Sequence, residues 1–343
     1  MKQIWLFTVR AYIRLGLFFY FKKIDIRNAN HIPKDEAVIF LGNHQNALLD
    51  ALLIATKNGR FSYFLTRAGV FEKPLVSRIL KSLQMLPVYR IRDGWGNLNK
   101  NNSIFSKSSK LLSEQNAIVI FPEGSHNLNR TVRPLSKGFT RIIFETLERY
   151  PNTKIQLIPV GLNYKKAEKF SDSALINFGT PIQVDKELLG DKNKSIIKLK
   201  EQVSQQLQQL TIHIESEKYD STLKKLEDLN VDFTKPEEVN QCIASNFEDC
   251  KTSTPKKSHP LKRLFKVLLI INLFIPYFIW KKIAQPKIKE IEFTSTFRFA
   301  IVISLVPIFI LIVMLILGLV FQIKFAFMYL INVIVLALLS VKL

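Results

Sequence analysis

The chain has 343 residues, of which 48% are hydrophobic, and a formal net charge of +21 at pH 7. The hydrophobic residues concentrate after Leu264, which excludes a fully water-soluble chain and indicates a polar domain joined to a membrane region. The basic excess suits anionic lipid headgroups and phosphorylated substrates. Nucleic acid is not expected as a partner, because the sequence shows neither a zinc-ligand pattern nor an RNP-like aromatic signature.

The first 23 residues combine aromatic side chains with two arginines and show no small-residue cleavage site. Arg10 and Arg14 are four residues apart and therefore share one face of a helix. The aromatic side chains suit a membrane–water interface: Trp5, Phe7, Phe18, Phe19, Tyr20 and Phe21. This composition predicts an interfacial, membrane-anchoring helix over residues 1–23, with a helix packed on the domain as the alternative.

Residues 24–216 alternate short apolar runs with longer segments of helical periodicity. This pattern predicts an α/β fold, with a mostly parallel sheet flanked by helices, and several uninterrupted runs are typical of strands covered on both faces. The predicted strands are Ala37–Leu41, Phe61–Thr66, Met85–Arg90, Ala117–Phe121, Ile155–Val160 and Ala174–Phe178. The predicted helices are Ala47–Lys57, Pro74–Leu83, Asn99–Glu114, Phe139–Tyr150 and Ser195–Ser216.

Lysine and glutamate dominate residues 217–263, which we interpret as a charged, partly helical linker. Leu223, Leu226 and Leu229 mark one short amphipathic helix within it. The linker also contains the two cysteines of the chain, Cys242 and Cys250. Two cysteines without zinc-site spacing are expected to be free thiols in a reducing compartment.

Residues 264–343 are predicted to form a C-terminal membrane region. Residues 299–321 and 325–341 carry no charge and are predicted to form a transmembrane hairpin. Residues 264–280 contain a proline and lie between two basic clusters, which favours a re-entrant or interfacial segment over a span. The flanking basic residues are Lys256, Lys257, Lys262, Arg263 and Lys266 before it, and Lys281, Lys282, Lys287, Lys289 and Arg298 after it.

The segment NHQNALLD places a histidine directly after a predicted strand and an aspartate further along the same segment. His44 would lie at the carboxyl edge of the sheet, where open α/β sheets hold their sites. A neutral imidazole at this place can accept a proton from a hydroxyl, and Asp50 could orient its ring. A surface histidine near an unrelated aspartate is the alternative.

The segment FPEGSH follows another predicted strand, and its Glu123-Gly124-Ser125 turn could direct backbone N–H groups at an anion. Cations suited to a phosphate lie around it: Arg90 at the end of a strand, and Arg130, Arg133 and Lys137 in the following loop. A basic surface loop is the alternative for each cation taken singly. Together with the histidine, they predict a pocket for an anionic substrate.

These segments, in this order, resemble the PlsC-like glycerolipid acyltransferases, which act on glycerol 3-phosphate or 1-acylglycerol 3-phosphate. The matching residues are Asn43, His44 and Asp50, then Arg90, then Phe121–Gly124, then residues 158–161 and the closing strand at 178–182. The resemblance covers residues 24–210. It implies His44 and Asp50 as catalytic residues, and Asn43, Arg90, Glu123, Gly124, Ser125, Arg130 and Lys137 as substrate-binding residues.

Two features depart from the family pattern. Five residues separate His44 from Asp50 instead of four, and one residue rotates a helix by about 100°. We expect the turn to absorb the extra residue, because no other acidic residue is near. The family continues the third block with Thr-Arg, whereas this chain has Ser125-His126, and Arg130 is the expected replacement. Both features resemble fungal glycerol-3-phosphate acyltransferases, which favours glycerol 3-phosphate as acceptor.

The resemblance implies direct acyl transfer to a glycerol-phosphate acceptor from acyl-CoA or acyl carrier protein, with no metal and no cofactor, in phospholipid biosynthesis. It implies an integral protein of the cell (inner) membrane that contacts membrane lipids and has a cytoplasmic catalytic domain. Alternatives are transfer to another lysolipid or unusual acceptor, and a non-catalytic lipid-binding scaffold of the same fold. A hydrolase using Ser125 is disfavoured, because the nucleophile-elbow motif is missing.

Overall fold

The computed structural model describes residues 1–90, 95–253 and 260–343, so Lys256 and Lys257 lie outside the described residues. The strands are β1 Lys23–Arg27, β2 Ala37–Gly42, β3 Ser62–Arg67, β4 Met85–Val88, β5 Ala117–Ile120, β6 Ile155–Tyr164, β7 Ser173–Phe178 and β8 Ile182–Val184. The helices of the polar region are α1 Lys2–Tyr20, α2 Ala47–Lys57, α3 Pro74–Ser82, α4 Asn101–Ser113, α5 Gly138–Arg149, α6 Lys192–Leu210, α7 Tyr219–Asp228 and α8 Pro236–Ala244. The helices of the C-terminal region are α9 Pro260–Asn272, α10 Phe274–Phe278, α11 Thr294–Ile303, α12 Leu305–Val320 and α13 Ile323–Lys342.

Within these described ranges, the strands form one eight-stranded sheet in the order β1-β7-β6-β2-β5-β3-β4, and β8 also pairs with β6. The five strands from β6 to β4 are mutually parallel, whereas β7 and β8 run antiparallel to β6. The predicted α/β fold with a mostly parallel sheet is confirmed. The sequence analysis missed β1 and β8, because β1 is a half-exposed edge strand and β8 has three residues.

Helices cover both faces of the sheet, because alternate residues of each strand point to opposite sides. On one face, Phe40 and Val119 pack with side chains from α1 and α2. On the other face, Leu41 and Ile118 pack with α4, α5 and α6. Every residue of β2, β5 and β6 is buried, as expected for strands covered on both sides.

The two motif-bearing strands are neighbours. β2 and β5 pair in parallel, with Leu41 opposite Ile120 at their carboxyl ends. The chain therefore leaves both strands at one edge of the sheet, which is the usual position of a site in an open α/β sheet. This pairing explains how two segments almost eighty positions apart in sequence come to share one site.

The fourth matching block, residues 158–161, lies inside β6 and has a structural role. A Cβ atom on Gly161 would lie 2.3 Å from the carbonyl oxygen of Leu210 at the end of α6. Glycine at this position lets α6 close onto the sheet, and a larger residue would push the helix away.

The predicted linker differs from the structure, which has a folded helical unit over residues 212–253. The predicted amphipathic helix is present as α7, and α8 packs beside it. The unit has its own apolar core: Ile212, Ile214, Leu226, Val231, Phe233, Val239 and Cys242. It is fastened to α6 by Asn240, whose side-chain amide donates to the carbonyls of Gln208 and Thr211 at 2.9 and 2.8 Å.

The prediction of two free thiols is wrong, because the structure joins Cys242 and Cys250 in a disulfide. α8 ends at Ala244, and Asn246 and Phe247 adopt left-handed backbone conformations that reverse the chain. This reversal returns Cys250 to Cys242, which sequence spacing alone could not show. A disulfide-bonded pair gives no indication of a reducing compartment.

The C-terminal region contains two stretches, within the described residues, that are long and apolar enough to cross a membrane: Ile291–Val320 and Ile323–Lys342. They contain the predicted hairpin at 299–321 and 325–341. The predicted re-entrant segment corresponds to α9 and the following stretch Phe274–Lys287, which are bent by 100°. This bend is compatible with a re-entrant loop or with a broken span.

Two tyrosines compensate for prolines in this region. A proline lacks the N–H that would bond the carbonyl four residues earlier, so Pro276 frees the carbonyl of Asn272 and Pro307 frees that of Ile303. The Tyr329 hydroxyl donates to the Asn272 carbonyl at 3.0 Å, and the Tyr12 hydroxyl donates to the Ile303 carbonyl. Because an unpaired carbonyl is costly in lipid, these contacts stabilise both breaks.

Candidate active site

His44 and Asp50 form a hydrogen-bonded pair, which we call the catalytic pair. His44 Nδ1 and Asp50 Oδ2 are 2.8 Å apart. The Asp50 side chain is 0% exposed, whereas that of His44 is 16% exposed. A carboxylate accepts but does not donate, so the proton lies on Nδ1 and leaves Nε2 as the basic nitrogen. The arrangement thus couples a buried acid to an imidazole that a substrate can reach.

Two further donors fix Asp50. The backbone N–H of Asn46 donates to Oδ2 at 2.7 Å, and the Tyr164 hydroxyl donates to Oδ1 at 2.6 Å. Burial, followed by the Asp50 charge, raises the pKa of Tyr164 well above its ordinary value, so the hydroxyl stays protonated and donates. Tyr164 was not identified from the sequence, because no local pattern links it to a residue 114 positions away.

The turn before α2 accommodates the extra residue between His44 and Asp50. Ala47 has a φ of +42°, a left-handed conformation that non-glycine residues rarely adopt. With the turn bent in this way, α2 begins at Ala47 and Asp50 still faces His44. The prediction that the turn would absorb the insertion is confirmed, and the altered spacing no longer argues for a chain without turnover.

The residues around His44 hold its ring in place. The imidazole stacks on the ring of Phe121, with centroids 4.1 Å apart and planes inclined by 14°. Asn43 is buried and bonded to β6, since its amide donates to the Leu162 carbonyl at 3.0 Å and accepts from the Leu162 N–H at 2.7 Å. Asn43 therefore positions the turn, and its predicted contact with substrate stays a prediction.

Beside the pair lies an arginine cluster, formed by Arg90, Glu123, Gly124, Ser125 and Arg133. Arg133 donates from Nε to Glu123 Oε2 at 3.1 Å and from Nη1 to Ser125 Oγ at 2.7 Å. Its Nη2 also contacts the Glu123 carboxylate and the Ser125 carbonyl. Arg90 Nη1 donates to the Gly124 carbonyl at 3.3 Å. The structure thus brings the predicted substrate-binding residues together around Arg133; they are Arg90, Glu123, Gly124 and Ser125.

The geometry of this cluster bears on the expected backbone cradle for an anion. The Gly124 N–H, expected to face an anion, donates to the Phe121 carbonyl at 3.1 Å, and a φ of +73° at Gly124 completes this turn. Burial raises the pKa of Glu123, and the charge of Arg133 opposes that shift. The Gly124 amide is therefore used within the turn itself, and anion binding by the neighbouring guanidinium groups stays a prediction.

Arg130 and Lys137 lie elsewhere. The Arg130 guanidinium is 4.0 Å from the ring centroid of Phe233 in the helical unit, and it donates to the Lys165 carbonyl at 3.0 Å. Lys137 is exposed and lines a shallow cleft with α6. Of the two loop arginines, Arg133 and not Arg130 is the one that contacts the FPEG block. Both arginines lie in the same loop, and the tertiary contacts of the helical unit determine which of them faces the FPEG block.

The C-terminal membrane region touches the site. The ring of Phe293 lies 4.5 Å from the ring of His126, which lies 5.7 Å from that of His44. Thr296 Oγ1 accepts from the Leu48 N–H at 3.3 Å. These contacts place the segment just before α11 directly beside the catalytic pair, an arrangement that the sequence analysis did not predict.

His126 also approaches two acidic residues of that segment. Its Nε2 is 3.9 Å from Glu290 Oε2. His126, Glu290 and Glu292 each offer one atom of a kind that can bind a metal, and these atoms lie within 4.8 Å of one another. Burial and the neighbouring His44 lower the pKa of His126. Exposed acids often gather near a histidine without a metal, and the prediction of a metal-free site stays a prediction.

Residues 23–163 match the Acyltransferase family model. This match and the relatives named below support a PlsC-like glycerolipid acyltransferase domain over these residues. The match begins at β1 and includes the catalytic pair and the arginine cluster, but it ends before Tyr164, the helical unit and the C-terminal helices.

Named relatives of this acyltransferase include enzymes of both expected kinds. Glycerol-3-phosphate O-acyltransferase 1 of Saccharomyces cerevisiae is 29% identical over 115 residues, or 32% of this chain and 15% of the yeast protein. The 1-acyl-sn-glycerol-3-phosphate acyltransferase of Borreliella burgdorferi is 25% identical over 223 residues, or 65% of this chain and 79% of that protein. The chain thus spans only a small part of the yeast relative.

Among solved structures, the chain is similar to the 1-acyl-sn-glycerophosphate acyltransferase PlsC from Thermotoga maritima. The sequence identity is 17% and the TM-score is 0.46, with 61% of this chain and 80% of the other covered.

Proposed function

We propose that this protein is a membrane-bound O-acyltransferase that moves a fatty acyl group from a thioester to a hydroxyl of glycerol 3-phosphate or 1-acylglycerol 3-phosphate. The observation that carries the proposal is the catalytic pair, with an open imidazole held by a buried acid next to the arginine cluster. The family match and the two kinds of named relative support the same chemistry.

In the proposed reaction, His44 Nε2 removes the proton of the acceptor hydroxyl. The oxygen attacks the thioester carbonyl carbon, an ester bond forms, the carbon–sulfur bond breaks, and the departing thiolate takes the proton from His44. Asp50 holds the ring and stabilises the imidazolium during the transfer. No metal, cofactor or covalent acyl-enzyme is required in this scheme.

The arginine cluster is proposed to hold the acceptor phosphate. Arg90 and Arg133 supply positive charge for the phosphate, and because four N–H groups of Arg133 already donate to Glu123 and Ser125, its contribution is mainly electrostatic. Glu123 repels an anion, so its role is to orient Arg133 through their shared contacts. The donor is proposed to be acyl-CoA or acyl carrier protein, and the catalytic domain is proposed to face the cytoplasm.

The contacts of the C-terminal segment with the site support a lipid acceptor or product. Phe293 and Thr296 lie beside His126 and Leu48, and the same stretch continues into an apolar helix able to span a bilayer. A lipid could therefore reach His44 from the membrane without crossing water. The Ser125 hydroxyl accepts from Arg133 and is held by a cation, which does not activate it as a hydrolase nucleophile.

The test is acyl transfer in membranes that express this chain, with labelled glycerol 3-phosphate and 1-acylglycerol 3-phosphate offered in parallel. Acyl-CoA and acyl carrier protein are each supplied as donor, and His44→Ala is compared with wild type. We expect product from one acceptor in wild type only. Equal product from both proteins, or none from wild type with any donor and acceptor pair, would contradict the proposal.

A further inference from the structure

Helix α3 carries an apolar face that the protein leaves uncovered. None of its nine residues is buried. Leu75 is 69% exposed, Val76 is 38% exposed and Ile79 is 46% exposed. Because positions i, i+1 and i+4 share one side of a helix, these three side chains form a single patch, which we call the α3 face.

Cations border the α3 face. Lys73 precedes the helix, and Arg78 and Lys81 lie within it, while the helix itself contains no acidic residue. An apolar stripe with basic residues beside it is typical of helices that lie in the plane of a membrane interface. The charge also complements anionic headgroups, each cation near such a surface contributing about 1 kcal/mol of attraction.

The α3 face continues into the outer surface of α1. The indole Nε1 of Trp5 donates to Ser82 Oγ at the end of α3, over a distance of 3.2 Å. Next to Trp5, Ile4 is 72% exposed and Phe7 is 67% exposed. α1 in turn packs against α11 and α13, which belong to the two stretches able to cross a membrane. Exposed apolar side chains therefore lie on both α1, which packs on the membrane region, and α3, which contacts α1.

The position of α3 relates this surface to the site. The chain leaves β3 at the sheet edge that carries the catalytic pair and makes one 3₁₀ turn before α3. Val70 in that turn is also 44% exposed, which extends the patch toward the edge. A bilayer in contact with α1 and α3 would hold the sheet edge that carries the catalytic pair at the level of the lipid headgroups.

We propose that the α3 face docks on an anionic bilayer surface and, together with α1, fixes the catalytic domain against the membrane. The bilayer is the occupant that fits, because the face is apolar, bordered by cations, and in contact with α1, which packs on helices of membrane-spanning character. This proposal does not depend on the proposed acyl transfer and concerns a contact made whether or not substrate is present.

The experiment places an environment-sensitive fluorophore on the full chain, reconstituted in bilayers of phosphatidylcholine and phosphatidylglycerol without reductant. The label is attached at Ile79→Cys, and the matched control is Ser103→Cys on an exposed position of α4. Cys242 and Cys250 remain paired and do not react. Brominated lipids are then exchanged for ordinary ones, because bromine quenches only a fluorophore that enters the acyl region.

We expect quenching of about twofold or more at position 79 and none at position 103, since an interfacial helix buries its apolar face about 5–10 Å into the headgroup boundary. Removing phosphatidylglycerol, or introducing Lys73→Gln with Lys81→Gln, should weaken the quenching. Equal signals at both positions would overturn the proposal. Emission at position 79 that is blue-shifted but insensitive to bromine would place the face against protein, such as a second copy, and would also overturn it.

Discussion

The catalytic pair and the arginine cluster follow neighbouring strands, yet the protein holds them in different ways. Asp50 is held by hydrogen bonds from His44 and Asn46, which are close in sequence, and from Tyr164, which is distant in sequence. The loop of Arg133 is fixed mainly by the helical unit, since the Arg130 carbonyl accepts from the Ile214 N–H at 2.8 Å and His213 Nδ1 accepts from the Val132 N–H at 3.0 Å.

This difference teaches that the two clusters have separate supports. The pair depends mainly on the turn and helix of its own segment, with contacts from Phe121 and β6, whereas the loop of Arg133 depends on a unit outside the matched family region. Chemistry at His44 and recognition at Arg133 can therefore be disturbed one at a time. We expect the pair to control the rate of transfer and the cluster to control acceptor binding.

The largest effect should come from Asp50→Asn. The neutral amide would no longer stabilise the imidazolium that forms as His44 takes the proton, and kcat should fall about 10²–10⁴-fold. Acyl transfer measured at saturating acceptor checks this. Asp172→Asn is the matched control, because Asp172 is also buried and burial raises its pKa to about 6. A comparable loss in the control would show that any buried acid gives the effect.

Arg133→Gln should weaken acceptor binding, because the positive charge is lost together with four charge-assisted hydrogen bonds that order the cluster, each worth about 1.5–3 kcal/mol. We expect the acceptor KM to rise about tenfold or more. Arg130→Gln is the matched control and should lower thermal stability through its lost contact with Phe233, with KM unchanged. A larger KM change in Arg130→Gln would restore the original assignment of Arg130.

Tyr164→Phe should have an intermediate effect. Removing the hydroxyl leaves Asp50 Oδ1 without this donor, and kcat should fall about tenfold, as for one hydrogen bond to a charged group. Transfer rates at saturating acceptor and thermal melts of the same variant check this. An unchanged kcat with reduced protein stability would indicate a structural role alone.

Ala47 should give the smallest change and tests how the turn accommodates the extra residue. Ala47→Gly relieves the backbone strain at a φ of +42°, and it also raises the conformational entropy of the unfolded chain. Because the two effects on the free energy of unfolding oppose each other, stability should change by less than about 1 kcal/mol. We expect kcat to stay within about twofold. Ala47→Val should lower both, because a branched residue fits this backbone poorly. Thermal melts and transfer rates check the pair of variants; equal behaviour would contradict the account of the turn.

The sequence was most informative where structure is local. The bounds of α2 match the prediction residue for residue, and the paired positions of His44 and Asp50 follow from one segment. The parallel sheet was also predictable, because uninterrupted apolar runs report burial on both faces. These features depend on near neighbours in the chain or on composition.

The missed features all need contacts between distant parts of the chain. Tyr164 reaches Asp50 across 114 positions, and Phe293 reaches His126 from beyond the helical unit. The disulfide depends on a reversal of the chain at Asn246 and Phe247, which the spacing of the two cysteines does not predict. The choice of Arg133 over Arg130 is of the same kind, because both arginines stand in one loop and the helical unit takes one of them.

The most direct test of the separate roles is to measure kcat and acceptor KM for wild type, Asp50→Asn and Arg133→Gln in the same membranes. The account predicts that Asp50→Asn lowers kcat with little change in KM, and that Arg133→Gln raises KM with little change in kcat. If both variants lowered kcat and raised KM to the same degree, the two clusters would act as one unit and the account would be contradicted.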